Sequence, residues 1–384
     1  MGTAMPVHDS PPLPPVAVTA ATPSAAAPTG PGRRPRLYVL DGLRLLAALY
    51  VVAYHYTAFA EHDPHPWGRP VHEVFPVFNR FSSYGFLGVQ LFFLISGFVI
   101  CMTAWGRTPK DFLISRVTRL FPAYWFAIAA TTVFVLLAGG HWLRYGRGID
   151  QFLTNLTMLQ DPLKVSDVDG VYWTLWCELV FYLLFLVVVR AGLSYQRVVS
   201  FCGIWLVAGV ISTGSGDSIV RTLTMPGQAP YFAGGVAIYL MHRYGPDLLL
   251  AGLTGLCWLL SLHQLATQLP EVSGHVGHHL QFGYAAAFVT ACYAVLIAAA
   301  LGRLDWIRWR GLTTLGALTY PLYLLHEDIG WGVILHLHDT VPAWALVGGV
   351  TAFFLYAAWL VHRYVERPLA RYLKRGLSKP RPAR

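Results

Sequence analysis

Two residues in an otherwise apolar stretch near residues 38–60 have side chains that could do chemistry. Arg44 lies near its start, and His55 follows eleven residues later. In an α-helix, eleven steps of about 100° return to within roughly 20° of the starting direction, so both side chains would share one face, about 16 Å apart along the axis. That face would offer a permanent cation and a titratable base. The alternative is an arginine that extends to a polar surface and a histidine bonded to a neighbouring helix.

A second pair of cations lies in the segment FLISRVTRLFPAYW, where Arg116 and Arg119 are three residues apart. On a helix this spacing makes the two side chains neighbours on one face. Two adjacent guanidinium groups could bind the phosphates of a ligand through planar, charge-assisted hydrogen bonds. The alternative is ordinary positive charge at the end of an apolar helix.

One acidic residue interrupts the apolar segment VYWTLWCELVFYLLF. Glu178 lies about two turns from one end of this segment, and His55 lies at a similar distance from the end of its own. We therefore predict that the two side chains meet at one depth, where the carboxylate would orient the imidazole and stabilise its charged form. The alternative role for Glu178 is a structural hydrogen bond between helices.

The segment LTTLGALTYPLYLLHEDIGW contains a cluster of polar groups beside a proline. The candidates for contacting a substrate or stabilising an oxyanion are Tyr320, Tyr323 and His326, and Glu327 and Asp328 follow them. Tyr323 and His326 are three residues apart and would share a helix face, while Pro321 should bend the helix. Such clusters line the cavities of enzymes and of transporters alike.

Long apolar runs separate these residues, and the composition is that of a membrane protein. Of the 384 residues, 55% are hydrophobic and 12% are charged, about half the charged fraction of a typical soluble domain. Runs near twenty residues are long enough for helices that cross a bilayer. We predict an all-α integral membrane protein with ten spans, near residues 38–60, 84–105, 119–139, 172–190, 198–213, 227–242, 247–265, 281–301, 312–336 and 342–362.

The loops between these spans carry most of the positive charge. The formal net charge is +9, and the Arg and Lys residues concentrate in alternate loops and in both tails, which the positive-inside rule assigns to the cytoplasm. Both termini are then cytoplasmic, and the basic character requires no nucleic-acid partner. No metal is predicted, because His275, His278 and His279 have no carboxylate at ligand spacing.

The sequence divides into three regions. Residues 1–36 form a Pro- and Ala-rich cytoplasmic tail that we predict to be disordered, residues 37–375 contain the ten helices, and residues 376–384 form a basic tail. A multi-pass protein of this kind belongs in the cell membrane. The excess of arginine over lysine is typical of a GC-rich bacterial genome.

Six segments in this order resemble the acyltransferase family 3 of integral membrane acyltransferases. They are LDGLRLLAALYVVAYH, GVQLFFLISGFVI, FLISRVTRLFPAYW, VYWTLWCELVFYLLF, LTYPLYLLH and VERPLARYL, and together they extend over about residues 37–375. In that family an arginine is followed after ten residues by a histidine regarded as the catalytic centre, which matches Arg44 and His55. Its RxxR motif matches Arg116 and Arg119, and an acidic position on its fourth helix matches Glu178.

The resemblance implies transfer of an acyl group, acetyl above all, from cytoplasmic acyl-CoA to a hydroxyl, commonly of a sugar on the outer side. Some larger members of the family append an extracytoplasmic SGNH-type domain, and another branch acylates macrolide antibiotics. We therefore expect acyl-CoA as donor, a carbohydrate or glycosylated metabolite as acceptor, and no metal. Arg116 and Arg119 would bind the CoA phosphates. His55 would act as a general base or carry the acyl group itself.

Three other classes of protein remain as alternatives. A transporter would also have polar groups at mid-depth, although the internal repeats of many transporters are missing from the sequence. An unrelated family of membrane-bound O-acyltransferases uses an intramembrane histidine, but its motif order differs. A non-catalytic scaffold would leave the charges inside the membrane unexplained.

Overall fold

The computed structural model describes Met1 and residues 37–60, 65–138, 148–214 and 216–378. Regular structure in these ranges is helical. The α-helices are α1 (Tyr38–Thr57), α2 (Val71–Val74), α3 (Phe78–Ser82), α4 (Leu87–Ala104), α5 (Pro109–Leu137), α6 (Ile149–Leu156), α7 (Trp173–Ala191), α8 (Tyr195–Ser212), α9 (Ser218–Thr224), α10 (Ala229–Tyr244), α11 (Leu248–Val276), α12 (Phe282–Ala300), α13 (Gly311–Leu325), α14 (Asp328–Leu337), α15 (Ala343–Val361) and α16 (Arg367–Ser378). A 3₁₀ turn at Gly170–Tyr172 precedes α7, and a π-helical turn at His362–Glu366 joins α15 to α16.

Seven helical stretches in the described ranges are long and apolar enough to cross a membrane. They are Phe78–Ala104, Pro109–Leu137, Gly170–Ala191, Tyr195–Ser212, Leu248–Val276, Phe282–Ala300 and Ala343–Ser378. The prediction of an all-α, multi-pass membrane protein is thereby confirmed. The three other predicted spans coincide with α1, α10 and the pair α13 and α14. The total of ten spans and the cytoplasmic location of the termini stay predictions.

The ninth predicted span is broken into two helices. α13 ends at Leu325 and α14 begins at Asp328, so His326 and Glu327 lie outside regular helix. The hydroxyl of Tyr56 donates to the carbonyl of His326 at 2.6 Å and satisfies a backbone group that the break releases. Non-helical backbone is tolerated at membrane depth where protein buries it or where it lines a cavity. The break places the buried side chains of His326 and Glu327 at one point, whereas a continuous helix would direct them to different faces.

The centre of the bundle is built from α1, α4, α10 and α13. α1 packs against α4 on one side and against α13 on another, and α4 also packs along α10. Gly97 of α4 lies against the backbone at Phe232, and Gly235 of α10 lies against the backbone at Leu94. Small residues of this kind allow membrane helices to approach closely. The close contact fixes α4, which forms one wall of the cavities described below.

The predicted tails fall largely outside the described part of the chain. Apart from Met1, residues 1–36 lie outside the described part of the chain. α16 extends to Ser378, so the predicted boundary at residue 376 falls within a helix. Residues 379–384 also lie outside the described ranges.

Candidate active site

The imidazoles of His55 and His326 are hydrogen-bonded to each other where α1 ends beside the break between α13 and α14. Nδ1 of His55 lies 2.9 Å from Nε2 of His326, and Nδ1 of His326 lies 2.8 Å from the carbonyl oxygen of Tyr323. Because a carbonyl only accepts, Nδ1 of His326 carries a proton, and Nε2 of the neutral ring accepts from His55 Nδ1–H. Full burial of His326 disfavours a charged ring. The neutral His55 therefore keeps a lone pair on Nε2, as a general base requires.

Side-chain donors fix the end of the helix that carries His55. The indole N–H of Trp331 donates to the carbonyl of His55 at 2.8 Å. The indole N–H of Trp67 and the amide of Asn79 donate to the carbonyls of the next two residues at 2.8 and 3.0 Å. The last carbonyls of a helix have no partner within it, so these three bonds satisfy them and hold the backbone that carries the imidazole.

The carboxyl group of Glu327 faces the other nitrogen of His55. Oε1 of Glu327 lies 3.6 Å from Nε2 of His55, and both side chains are largely buried. The carboxylate packs against Gly170, where an added Cβ would lie 2.7 Å from Oε1. Once His55 has taken a proton on Nε2, Glu327 is positioned to stabilise the imidazolium.

Asp169 adds a further carboxyl group behind Glu327, from the loop before α7. It accepts hydrogen bonds from the backbone N–H groups of Val171 and Asp328, each at 3.3 Å, and it is completely buried. Burial raises the pKa of Asp169 to about 7, because the ionised form loses its solvation. The carboxyl groups of Asp169, Glu327 and Asp328 are thus collected beside the two histidines.

A cavity of about 440 Å³ adjoins His55, and we name it the outer cavity after the predicted orientation. Its lining residues are Val51, Tyr54, His55, Phe59, Phe86, Val89, Gln90, Gly170, Val171, Trp173, Gln268, Glu271, Val272, His275, Tyr323, Glu327, Asp328 and Trp331. Phe59 and Trp331 stack with their ring centroids 5.3 Å apart. The cavity therefore combines aromatic and polar surfaces beside the base, as small-molecule sites commonly do.

Two more cavities continue from the outer cavity toward the predicted cytoplasmic side. The middle cavity has about 60 Å³ and shares Val89 and Tyr323 with the outer cavity. The inner cavity has about 360 Å³ and includes Arg116 and Arg119. The lining shared by the middle and inner cavities comprises Arg44, Ser96, Glu178 and Tyr320. Because they share lining residues, the three cavities adjoin in a series from the arginine pair to His55, and we name this series the passage.

Arg44 and Glu178 lie together in this passage, at a distance from the end of α1. Oε1 of Glu178 accepts from the hydroxyl of Ser96 at 2.8 Å and also from the hydroxyl of Tyr182. The carboxylate that faces His55 is Glu327, which corrects the pairing of His55 with Glu178 predicted from the sequence. The two side chains lie at different depths in the bundle. His55 is two residues from the C-terminal end of α1, whereas Glu178 lies five residues after the first residue of α7.

The two arginines of the RxxR motif differ in their surroundings. Arg119 forms an ion pair with Glu366, whose other carboxylate oxygen lies 2.8 Å from Nδ1 of His362. Arg116 donates to the hydroxyl of Ser115 at 2.7 Å. Its Nε is buried and has no hydrogen-bond partner among the described residues. Arg116 therefore has hydrogen-bonding capacity to offer a ligand, whereas Arg119 already has a carboxylate partner.

The two predicted tyrosines occupy different levels of the passage. Tyr320 donates to the carbonyl of Leu120 at 2.9 Å and lines the middle and inner cavities. The hydroxyl of Tyr323 lies 3.0 Å from the hydroxyl of Thr174 and lines the middle and outer cavities. Of the predicted candidates, His55, His326 and Tyr323 are brought together, and Tyr320 lies near Arg44 and Arg119.

Several residues of this site follow from no sequence motif. Glu327 was visible beside His326, but its position opposite His55 depends on the helix break. Asp169 lies in a polar loop and carried no motif, and Glu366 lies in VERPLARYL without an assigned partner. The described residues contain no cluster of His, Cys, Asp or Glu suited to holding a metal ion.

Comparison with known proteins identifies related chains. YrhL of Bacillus subtilis (strain 168), whose name proposes peptidoglycan O-acetyl transfer, is 25% identical over 398 residues, which cover 88% of this chain and 56% of that protein. Nodulation protein 10 of Rhizobium leguminosarum bv. viciae is 26% identical over 348 residues, covering 84% of this chain and 86% of that protein. The O-acetyltransferase OatA of Staphylococcus aureus (strain NCTC 8325 / PS 47) is 22% identical over 382 residues, which cover 86% of this chain and 56% of that protein.

The chain thus spans little more than half the length of YrhL and OatA. No solved structure matches it. A family model described as an acyltransferase domain matches residues 37–365, which include the passage and the residues around His55. The chain therefore belongs to the acyltransferase family 3.

Proposed function

We propose that this chain is a membrane-bound O-acyltransferase. It moves an acyl group, acetyl in the simplest case, from cytoplasmic acyl-CoA to a hydroxyl of a carbohydrate or a glycosylated metabolite. The observation that carries this proposal is the passage from the arginine pair to Nε2 of His55. The names of OatA and YrhL, which refer to O-acetyl transfer, support the same reaction class.

The donor would enter at the inner cavity. The CoA phosphates would contact Arg116, which has an unpartnered buried Nε, and Arg119 would add positive charge while paired with Glu366. The pantetheine arm would follow the middle cavity past Arg44, whose Nε is likewise buried without a partner among the described residues. An unpartnered buried donor is costly, and an amide carbonyl of the arm would satisfy it. The thioester would then lie near His55.

The reaction needs one proton transfer in each direction at His55. Nε2 takes the proton of the acceptor hydroxyl, and the oxygen attacks the thioester carbonyl carbon to form a tetrahedral intermediate. The C–S bond then breaks, and CoA leaves as a thiolate that recovers the proton from the imidazolium. Glu327 stabilises the imidazolium in between, and Glu178 helps to hold Arg44 in the passage. Tyr323 is the candidate donor to the oxyanion.

The test compares His55→Ala with the wild type in lipid nanodiscs. We expect the variant to lose at least 100-fold in acceptor-dependent CoA release, because general-base catalysis contributes about 10²–10⁴-fold. His263→Ala, at an exposed position of α11 away from the passage, is the matched control and should retain wild-type release. Wild-type activity in folded His55→Ala protein would contradict the mechanism.

A transporter is the second candidate, because a passage lined with polar groups is also what a translocated solute would need. It predicts flux of a small polar solute or sugar across proteoliposomes without acyl-CoA and without a covalent product. Flux of this kind, together with the absence of CoA release for every acceptor, would favour the transporter over the acyltransferase.

A further inference from the structure

The outer cavity is lined by acidic side chains and by no permanent cation among the described residues. Among its described lining residues, the ionisable acids are Glu271, Glu327 and Asp328, and lysine and arginine are absent. Glu271 extends from α11 at an exposed position, and the described residues offer it neither a hydrogen bond nor an ion pair. A cavity with low-dielectric walls and charge of one sign attracts ligands of the opposite sign.

Two buried oxygens in the same cavity lack partners. Oε2 of Glu327 and Oδ2 of Asp328 make no hydrogen bond with the described residues. The exposed fractions of these residues are 6% and 1%, so water hardly reaches them. Buried acceptors without donors are costly, and these two oxygens add to the acidic character of the cavity wall.

The aromatic wall favours the same type of ligand. The stacked rings of Phe59 and Trp331 line the cavity beside His55, and Trp173 lines it as well. Aromatic faces attract cations through the ring quadrupole, and tryptophan does so best. The amides of Gln90 and Gln268, joined by a hydrogen bond of 3.4 Å, add neutral hydrogen-bonding groups to the lining.

Building on the proposed function, we propose that the acceptor is a hydroxyl compound that carries a protonated amine, of the amino-sugar class. The ammonium group pairs with Glu271 and the aromatic wall, and a neighbouring hydroxyl lies at Nε2 of His55. Sugars that carry a carboxylate or phosphate are repelled. An amine kept protonated has no lone pair for attack, so the acyl group goes to oxygen and the product is an ester. The hydroxyl proton leaves with CoA through His55.

The test uses protein in nanodiscs with acetyl-CoA and three methyl glycosides that differ in charge: a glucoside, a glucosaminide and a glucuronide. We expect kcat/KM to be about tenfold higher for the amino sugar than for the neutral one, as one charge-assisted contact would give, and lowest for the glucuronide. Alkali-labile acetate on the amino sugar identifies the ester. A higher kcat/KM for the neutral or anionic sugar, or an amide product, would overturn the inference.

Variants at Glu271 locate the effect. Glu271→Gln should lower kcat/KM for the amino sugar about tenfold more than for the neutral sugar, and Glu271→Lys should shift the preference toward the glucuronide. Glu73→Gln, at an exposed acid outside the cavity, is the matched control and should keep the wild-type ratio. An unchanged ratio in Glu271→Gln contradicts the inference alone. A lack of transfer to all three sugars contradicts the proposed function as well.

Discussion

At the level of single residues, the account depends on which nitrogen of His55 carries the proton. His326 determines this, because the Tyr323 carbonyl fixes its tautomer and leaves Nε2 as an acceptor for His55 Nδ1–H. His326 is completely buried and lies behind His55, outside the lining of the outer cavity. It is therefore a positioning residue that acts on the acceptor through His55.

Substitutions of His326 test this role. His326→Leu removes the acceptor of the His55 Nδ1 proton, and we expect kcat to fall about 100-fold while KM for acyl-CoA stays unchanged. His326→Gln supplies a side-chain carbonyl that accepts the same proton, so it should restore part of kcat. Steady-state kinetics with acyl-CoA varied measure both parameters. Equal losses in the two variants, or a rise in KM that accounts for the loss, would argue for a merely structural role.

The residue contacts that the sequence could predict are those set by one helix. Arg44 and His55 are related by helical periodicity alone, and both line the passage. The partner of His55 depends on the relative depth of two helices and on a break after Leu325, which periodicity does not specify. Periodicity and segment ends therefore predict Glu178 opposite His55, where the structure has Glu327.

At the level of helices, the passage depends on close packing around α4. Gly235 of α10 faces the backbone of α4 at Leu94 and Phe98, and a Cβ at this position would overlap it. α4 in turn contributes Val89 and Ser96 to the passage. A displacement of this helix would therefore change both stability and the width of the middle cavity.

We expect Gly235→Ala to destabilise the protein by about 1–3 kcal/mol, the usual cost of overpacking. Thermal unfolding in detergent measures the effect as a lower midpoint. Gly252→Ala is the control, because an added Cβ there meets no atom within 4 Å and alanine favours the helix. Equal midpoints for the two variants would mean that α4 and α10 are not closely packed at Gly235.

At the level of the whole molecule, the passage connects two ends with opposite chemical character. The inner end has the arginine pair, and the outer end has the acids and aromatic rings beside His55. The apolar runs were sufficient to predict an all-α membrane protein, since the length of each run is a local property. The passage could not be predicted, because it is formed by side chains of several helices that only the packed bundle brings together.

Acyl transfer from a donor on one side of a membrane to an acceptor on the other side tests the central claim most directly. Membrane vesicles of one orientation would carry labelled acetyl-CoA only on the side of Arg116 and an amino-sugar acceptor only on the side of His55. We predict acetylated sugar on the acceptor side with the wild type and at least 100-fold less with His55→Ala. Equal product from the two proteins, or product only when donor and acceptor share one side, would contradict a passage that delivers the acyl group to His55.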